Sequence, residues 1–437
     1  MITLSDRTYW ITGFIVAIGI TGQWLEGPWP MLTSQLWILP TALLIAAVFA
    51  ERAALAAMQI SLIRKTPSEV YLGECFSTDL VVTNHDRRPV HIQCQPSYPA
   101  SLSAEAGIRR YDVPRAGTVS DRLEILPVQL GKSGLGDIHV KVRGFMGLVW
   151  WYRRISDGAV VKIVPRSMTT TARTRGERLA GVRNARQPIQ GGMEFLLHRE
   201  YQQGDPLQIV DWKATARSHD LMVRVMTRDQ RMELVVLLDC GRTSQLQVGP
   251  LSQLHHNVNI VAHLAELAVK HGDHVACITY ADRPLAMMPP GSGINGLRRT
   301  RAILRDARSL GSESNILAAA LQARRLLGHR ALVVVLTDLS TGDDASQFSR
   351  AVRLLSARHL VVIASIDDTE IEAMSWTGAS HWLDPYRNFA AAEYCRQREL
   401  TKLKLNQQGA SVISAAADTL DSKLMDYYRE LRQRIAV

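Results

Sequence analysis

The stretch ELVVLLDCGRTS, residues 233–244, decides how the C-terminal half of the chain is read: an apolar run ends on an acid, Asp239, and two hydroxyls, Thr243 and Ser244, follow closely. A near-continuous apolar run predicts a strand buried on both faces, the signature of a parallel sheet. Three more such runs follow, HVACITY, ALVVVLTD and HLVVIASID. Between them lie stretches with helical periodicity, among them LHHNVNIVAHLAELAVKH, GLRRTRAILRDAR, NILAAALQARRLL and FSRAVRLLSAR. A helix from residue 387, a short strand ASVISAA and a last helix at DTLDSKLMDYYRELRQR close the chain. The alternation predicts a Rossmann-like α/β domain over 232–437, with helices on both faces of a parallel sheet.

In such sheets ligands sit outside the carboxyl ends of the strands, where the strand order reverses. Asp239 ends one strand there and Asp338 ends another, and Ser314, just before a helix, enters from a third loop. Two carboxylates with hydroxyls and waters form a hard oxygen site suited to Mg²⁺. The alternative is that both aspartates cap the helices after their strands. GSGING, 291–296, fits the dinucleotide pattern GxGxxG, but it does not follow the first strand and two prolines precede it. A flexible turn is the simpler reading. No P-loop lysine motif, GxSxG elbow or HExxH is present, and no nucleophile and base stand at readable spacing, so the sequence predicts no enzyme.

Residues 60–165 change to short alternating runs, including FSTDLVVTN, RPVHIQC, DRLEILPVQL and DIHVKVR, which predict an all-β sandwich. His85 and His91 lack a partner carboxylate at useful spacing there, and Phe145, Trp150, Trp151 and Tyr152 read as core aromatics. Residues 166–231 read as a basic connector with twelve Lys or Arg against seven Asp or Glu. That strip suits an acidic partner or lipid headgroups, or is a solvated surface. Its arginines are not interleaved with aromatics as a nucleic-acid platform requires, so no nucleic-acid partner is expected.

At the other end, YWITGFIVAIGITGQWL (9–25) and MLTSQLWILPTALLIAAVFA (31–50) carry no charge. They predict a transmembrane helical hairpin over 1–55, joined by EGPWP at 26–30. The balanced Asp6 and Arg7 and the second apolar span argue against a cleaved signal peptide. Arg52, Arg64 and Lys65 follow the second span while the connector holds only Glu26. The positive-inside rule therefore predicts a two-pass protein of the inner (cytoplasmic) membrane with both termini and the large domains in the cytoplasm. The five cysteines are scattered without a CxxC pair, consistent with reduced thiols there. The net charge of +10 admits several classes of partner and selects none.

REYQQGDPLQIVDWKATARSHDLMVR, 199–224, followed by LLDCGRTS, resembles the core motif of the bacterial domain-of-unknown-function fifty-eight family, carried by Glu200, Gly204, Asp205, Asp211, Trp212, Lys213, Ala216 and Arg217. The resemblance implies two membrane helices and a β domain before a von Willebrand factor A-like domain. It also implies a membrane-tethered adaptor or scaffold acting by protein contacts, with a MoxR-type AAA+ ATPase as partner. A cell-envelope scaffold without an ATPase is the alternative. The metal-dependent adhesion site of A domains maps onto Asp239, Thr243, Ser314 and Asp338. Gly241 stands where the first serine would, so one ligand is lost and water has to fill its place. Within DWKATAR, Asp211 predicts an N-cap, Lys213 and Arg217 predict cations on one helical face, and Trp212 is expected to be buried on the other. The element is then a structural clamp or a docking surface, with Glu200, Asp205, Asp211, Trp212, Lys213 and Arg217 as its residues.

Overall fold

The computed structural model describes residues 2–24, 35, 37–105, 107–156, 158–166, 194–218, 220–227, 231–339, 345–378 and 380–436. They divide into two compact units, Met1–Val164 and Pro165–Val437. The expected connector at 26–30 and the arginine-rich residues 167–193 lie outside the described residues.

The first unit begins with strand β1 (Ile2–Leu4), helix α1 (Asp6–Trp24) and helix α2 (Ile38–Ala57). Eleven strands follow: β2 (Ile60–Lys65), β3 (Glu69–Tyr71), β4 (Phe76–Asn84), β5 (Val90–Pro96), β6 (Leu102–Ala104), β7 (Arg109–Val113), β8 (Thr118–Pro127), β9 (Gly131–Gly134), β10 (Ile138–Arg143), β11 (Val149–Ile155) and β12 (Val160–Val164). They form sheets ordered β1-β11-β10-β5-β7, β2-β4-β8-β6 and β3-β12-β9. Alternation does the sorting, because successive side chains on a strand point to opposite faces. Leu80 and Val82 of β4 and Leu123 of β8 share one core with Ile92 of β5, Val140 of β10 and Val149 of β11. Of the aromatics expected in this core, Trp151 packs against it, while Phe145 and Tyr152 are exposed. His91 meets the Asp112 carboxylate across the β5–β7 pair. Sequence spacing hid that contact because the partners are 21 residues apart.

Among the described helices, α2 is long and apolar enough to cross a membrane. Helix α1 carries Asp6 and Arg7 in its first turn and Gln23 near its end, so its uninterrupted apolar length is shorter. Helix α2 runs past the charged residues expected to end the span. Glu51 is buried and accepts hydrogen bonds from the backbone N–H groups of Met146 (2.8 Å), Gly147 (2.9 Å) and Leu148 (3.0 Å). The β10–β11 turn is thus fastened to the helix. The N-terminus is also bonded to the β strands: β1 pairs with β11, and Ser5 and Thr8 donate to the carbonyls of Gly147 and Leu148.

The second unit opens with β13 (Glu194–Glu200), the single turn α3 (Trp212–Thr215) and β14 (Met222–Thr227). Strands β13 and β14 pair, so the expected connector contains a hairpin of its own. Next come β15 (Glu233–Asp239), β16 (Gln247–Val248), β17 (Leu251–Ser252), α4 (Gln253–Lys270), β18 (His274–Tyr280), β19 (Pro284–Gly291) and α5 (Gly293–Asp306). They are followed by α6 (Ile316–Leu326), β20 (Ala331–Leu336), α7 (Ala345–Ser356), β21 (Leu360–Ile366), α8 (Thr369–Trp376), α9 (Asp384–Gln407), β22 (Ala410–Ala415) and α10 (Leu420–Ala436).

The main sheet has the order β19-β18-β15-β20-β21-β22. Neighbours from β18 to β22 are parallel, and β19 returns antiparallel at the edge. An all-parallel sheet was the expectation. Only Ala281, Asp282 and Arg283 link β18 to β19, too few for a crossover, so the chain has to turn back. The edge position tolerates Pro289 and Pro290. GSGING is the junction of β19 with α5 rather than a free turn: a Cβ on Gly296 would lie 2.6 Å from the Gly291 carbonyl oxygen. The glycines therefore let a strand end and a helix start touch.

One face of the sheet packs against α6 and α7 through Val235, Ile278, Val333, Ala320 and Val352. On α4, Val258, Val261 and Leu264 are likewise buried. Helix α10 is tied down by buried polar contacts. Asp273 accepts from the Met232 N–H (3.0 Å) and meets the Tyr428 hydroxyl and the Arg432 guanidinium, while His263 pairs with Asp421.

Candidate functional site

Two groups of predicted residues come together, each on its own local frame. The first is at the carboxyl edge of the sheet. Asp239 ends β15 and is 2% exposed. One carboxylate oxygen, Oδ1, accepts from the Gly241 N–H (2.8 Å) and from the Ser314 hydroxyl (2.5 Å). The other, Oδ2, accepts from the hydroxyl of Thr337 (2.6 Å), which is 5% exposed. Backbone bonds hold the loop that delivers Ser314: Leu310 N–H to Cys240 O (2.7 Å), Arg242 N–H to Ser312 O (2.8 Å) and Asn315 N–H to Ala281 O (2.7 Å). Asn315 then caps α6 by accepting from the Ala318 N–H at 3.0 Å. The acid thus unites the ends of β15 and β20 with the loop before α6.

Thr337 and Tyr280 were missed in the sequence. Tyr280 is fully buried and aligned with Asp239 across the β15–β18 pair. Burial, then the Asp239 carboxylate, hold its phenol well above the ordinary tyrosine range, so it stays protonated. The Cys240 thiol is pushed up to about 12 by burial, with Asp239 adding to the effect, and Cys277 is pushed up to about 12 by burial. Neither is a nucleophile at neutral pH. Thr337 adjoins Asp338 and could have been found as a hydroxyl at the end of the same apolar run.

Thr243 does not join this group. Thr243 lies on the turn Arg242–Gln245, where its carbonyl accepts from the Leu246 N–H (3.1 Å), and its hydroxyl does not bond to Asp239. Asp338 is half-buried, and its charge acts on the Tyr394 phenol of α9.

The Mg²⁺ site implied by resemblance to A domains does not fit these residues. The place of the missing serine is not open to water: a Cβ on Gly241 would stand 2.1 Å from the Ser314 hydroxyl oxygen. A carboxylate ringed by donors is satisfied as a hydrogen-bonded anion.

The second group is on the β13–β14 hairpin. Asp211 caps α3, accepting from the N–H groups of Lys213 (3.1 Å) and Ala214 (3.2 Å), as its position predicts. Its other oxygen contacts His198 (2.9 Å) and the Arg224 guanidinium (2.9 Å). Hydrogen bonds from His198 and then Arg224 hold its carboxyl well below the usual carboxylate range. Arg199 grips Asp205 through two parallel bonds of 2.7 Å, and Gln202 N–H adds a third at 2.9 Å. Gly204, at φ +110°, makes the turn that allows this. Glu200 ends β13 and is exposed.

Trp212 corrects the sequence reading, being 66% exposed instead of buried. Lys213 and Arg217 do not share a long helical face either, because α3 covers only Trp212–Thr215 and Arg217 lies beyond it. The cause is local. Among the described residues, none covers Trp212 on this one-turn helix, which is too short to present a buried face. Trp212, Lys213 and Arg217 are all exposed.

Residues 198–391 match the family described as a protein of unknown function, DUF58, and this stretch includes both groups. None of the curated proteins matches the chain. Among solved structures, proximal thread matrix protein 1 from the mussel byssus is similar in two crystal forms. One aligns at 15% identity and a TM-score of 0.31 over 46% of this chain. The other aligns at 13% identity and 0.30 over 45%, and the matched part is 46% of the byssus protein in both cases. WR4, a C. elegans MSP family member, aligns at 10% identity and 0.16 over 24% of this chain and 94% of its own.

Proposed function

We propose that this protein is a membrane-tethered cytoplasmic adaptor that acts by protein–protein contacts, with a MoxR-type AAA+ ATPase as its partner. The α/β sheet with its one antiparallel edge strand is read as a von Willebrand factor A-like domain whose adhesion site works without an ion. The observation that carries the proposal is the DWKATAR turn, where Asp211, paired with His198 and Arg224, holds the backbone while Trp212, Lys213 and Arg217 are exposed. An exposed Trp flanked by cations is the composition of an interface anchor. An acidic patch on the partner would complement it.

Three observations support tethering on one side. Helix α2 is long and apolar enough to span. Strand β1 before α1 and strand β2 after α2 belong to the same compact unit, as a chain that enters and leaves the helices from one side requires. Arg52, Arg64 and Lys65 follow α2, the charge bias that the positive-inside rule expects of a cytoplasmic side.

The test is co-purification of the full chain from detergent with the ATPase, with and without ATP. Trp212→Ala should weaken capture by about 2 kcal/mol or more, roughly thirtyfold. Lys213→Glu with Arg217→Glu should abolish it while leaving unfolding unchanged. Undiminished capture by both variants would remove the docking role, and loss of folding with capture would make the element a clamp.

A further inference from the structure

Where α1 and α2 join the β strands, one end of the first unit carries a combination that protein packing does not use. The β10–β11 turn, residues 144–148, is fixed to both helices: Glu51 of α2 binds its N–H groups, and Ser5 and Thr8 at the start of α1 bind its carbonyls. A Cβ on Gly144 would collide with the Glu51 carboxylate, so the turn sits directly against the helix. Its tip is apolar and uncovered, with Phe145 50% and Met146 45% exposed.

Cations surround that tip. The Arg88 guanidinium lies 4.7 Å from the Phe145 ring centre, and Arg143 borders the turn, its guanidinium 5.7 Å from the Trp150 ring centre. Arg87 precedes Arg88 in the β4–β5 loop, and Arg52 follows Glu51; Arg52, Arg87 and Arg88 are exposed. None of these four arginines pairs with a carboxylate among the described residues, unlike Arg154, which pairs with Asp137. The nearest acid in the loop, Asp86, accepts from the Arg87 N–H at 2.7 Å.

We infer that the 144–148 turn is a second membrane contact, in which Phe145 and Met146 enter the headgroup region and Arg52, Arg87, Arg88 and Arg143 bind anionic lipid headgroups. This rests on the reading of α2 as a membrane span. Two features choose lipid as the occupant. The first is charge complementarity, since unpaired arginines beside apolar tips match an anionic surface. The second is continuity with the span: the turn is bonded to the residue that ends the apolar run of α2, and exposed Phe49 lies two residues before it. The contact would fix the β unit against the bilayer instead of leaving it on a swivel.

The experiment uses the full chain in vesicles of phosphatidylcholine with or without phosphatidylglycerol. Cys75→Ser and Cys395→Ser remove the accessible thiols, leaving Cys94, Cys240 and Cys277 buried. An environment-sensitive fluorophore is placed at Met146→Cys, or at Leu43→Cys in α2, and headgroup-proximal nitroxide lipids serve as quencher. The expected result is quenching at both positions, with that at 146 requiring phosphatidylglycerol and lost in Arg88→Glu with Arg143→Glu. Quenching at 43 but not at 146 overturns the contact and leaves the span intact. Equal quenching at 146 without anionic lipid overturns the headgroup assignment. No quenching at either position removes the span and the contact with it.

Discussion

Thr337→Val tests the hydrogen-bonded state of Asp239 most directly. The substitution keeps the shape of the side chain and removes the hydroxyl that bonds Oδ2 at 2.6 Å. With Asp239 2% and Thr337 5% exposed, water has little access to replace that donor. A hydrogen bond to a charged acceptor contributes about 1.5–3 kcal/mol, and a buried site without solvent lies toward the upper end. No cavity term is added, because valine is no smaller than threonine. The effect should appear where Asp239 joins the sheet, as faster amide exchange in Leu234–Leu238 and Leu332–Leu336. On the free-energy scale the opening equilibrium rises about tenfold to a hundredfold. The assay is hydrogen–deuterium exchange with mass readout on the full chain in detergent, which follows the sheet separately from the β unit. Unchanged exchange in the variant would refute the role given to Thr337. In the wild type, millimolar Mg²⁺ should leave exchange unaltered, and slower exchange would refute the ion-free reading, because a ligand bound to the native state stabilises it.

Other expectations concern neighbouring parts of the molecule. Gly241→Ala should displace the Ser314 hydroxyl and so cost about as much as Ser314→Ala, roughly 1–3 kcal/mol each, while the double variant costs no more than the dearer single one; additive losses in the same exchange assay would show that the two positions are independent. His255 on α4 has its pKa lowered to about 4, chiefly by burial and then by His256 and Arg308. Because the folded value lies below the unfolded one, its contribution is complete above the ordinary histidine range and is lost as pH falls from there toward 4, an effect of about 3 kcal/mol. Urea unfolding of the second unit should flatten over that window in His255→Gln, and an unchanged profile would exclude His255 as the sensor. Glu51→Ala removes an acceptor from the Met146, Gly147 and Leu148 N–H groups, of which Gly147 N–H keeps the Gly144 carbonyl, and should cost about 1–3 kcal/mol, read as new proteolytic cleavage within 144–148; resistance equal to wild type would contradict the fastening of that turn.

Much of this was legible before any tertiary contact was known. The four apolar runs from residue 233 onward became β15, β18, β20 and β21 because a strand buried on both faces has to be apolar throughout. Asp211 was readable as a cap because capping is a local bond between a side chain and the next two or three amides. Trp212 was not readable, since its exposure depends on whether a second layer covers a four-residue helix. Strand β19 was obscured by its prolines, which are tolerated at an edge but argue against a central strand.

Periodicity and hydrophobic run length act along the chain, and so they were enough to place the central strands of the second unit, the apolar helix near the N-terminus and Asp239 at a strand end. Tertiary structure alone decided what those residues meet. Ser314 and Thr337 reach Asp239 across separations of 75 and 98 residues, and Glu51 meets the 144–148 turn across more than 90. Such bonds depend on which strands become neighbours, and that is set by the packing of the whole sheet rather than by any local pattern.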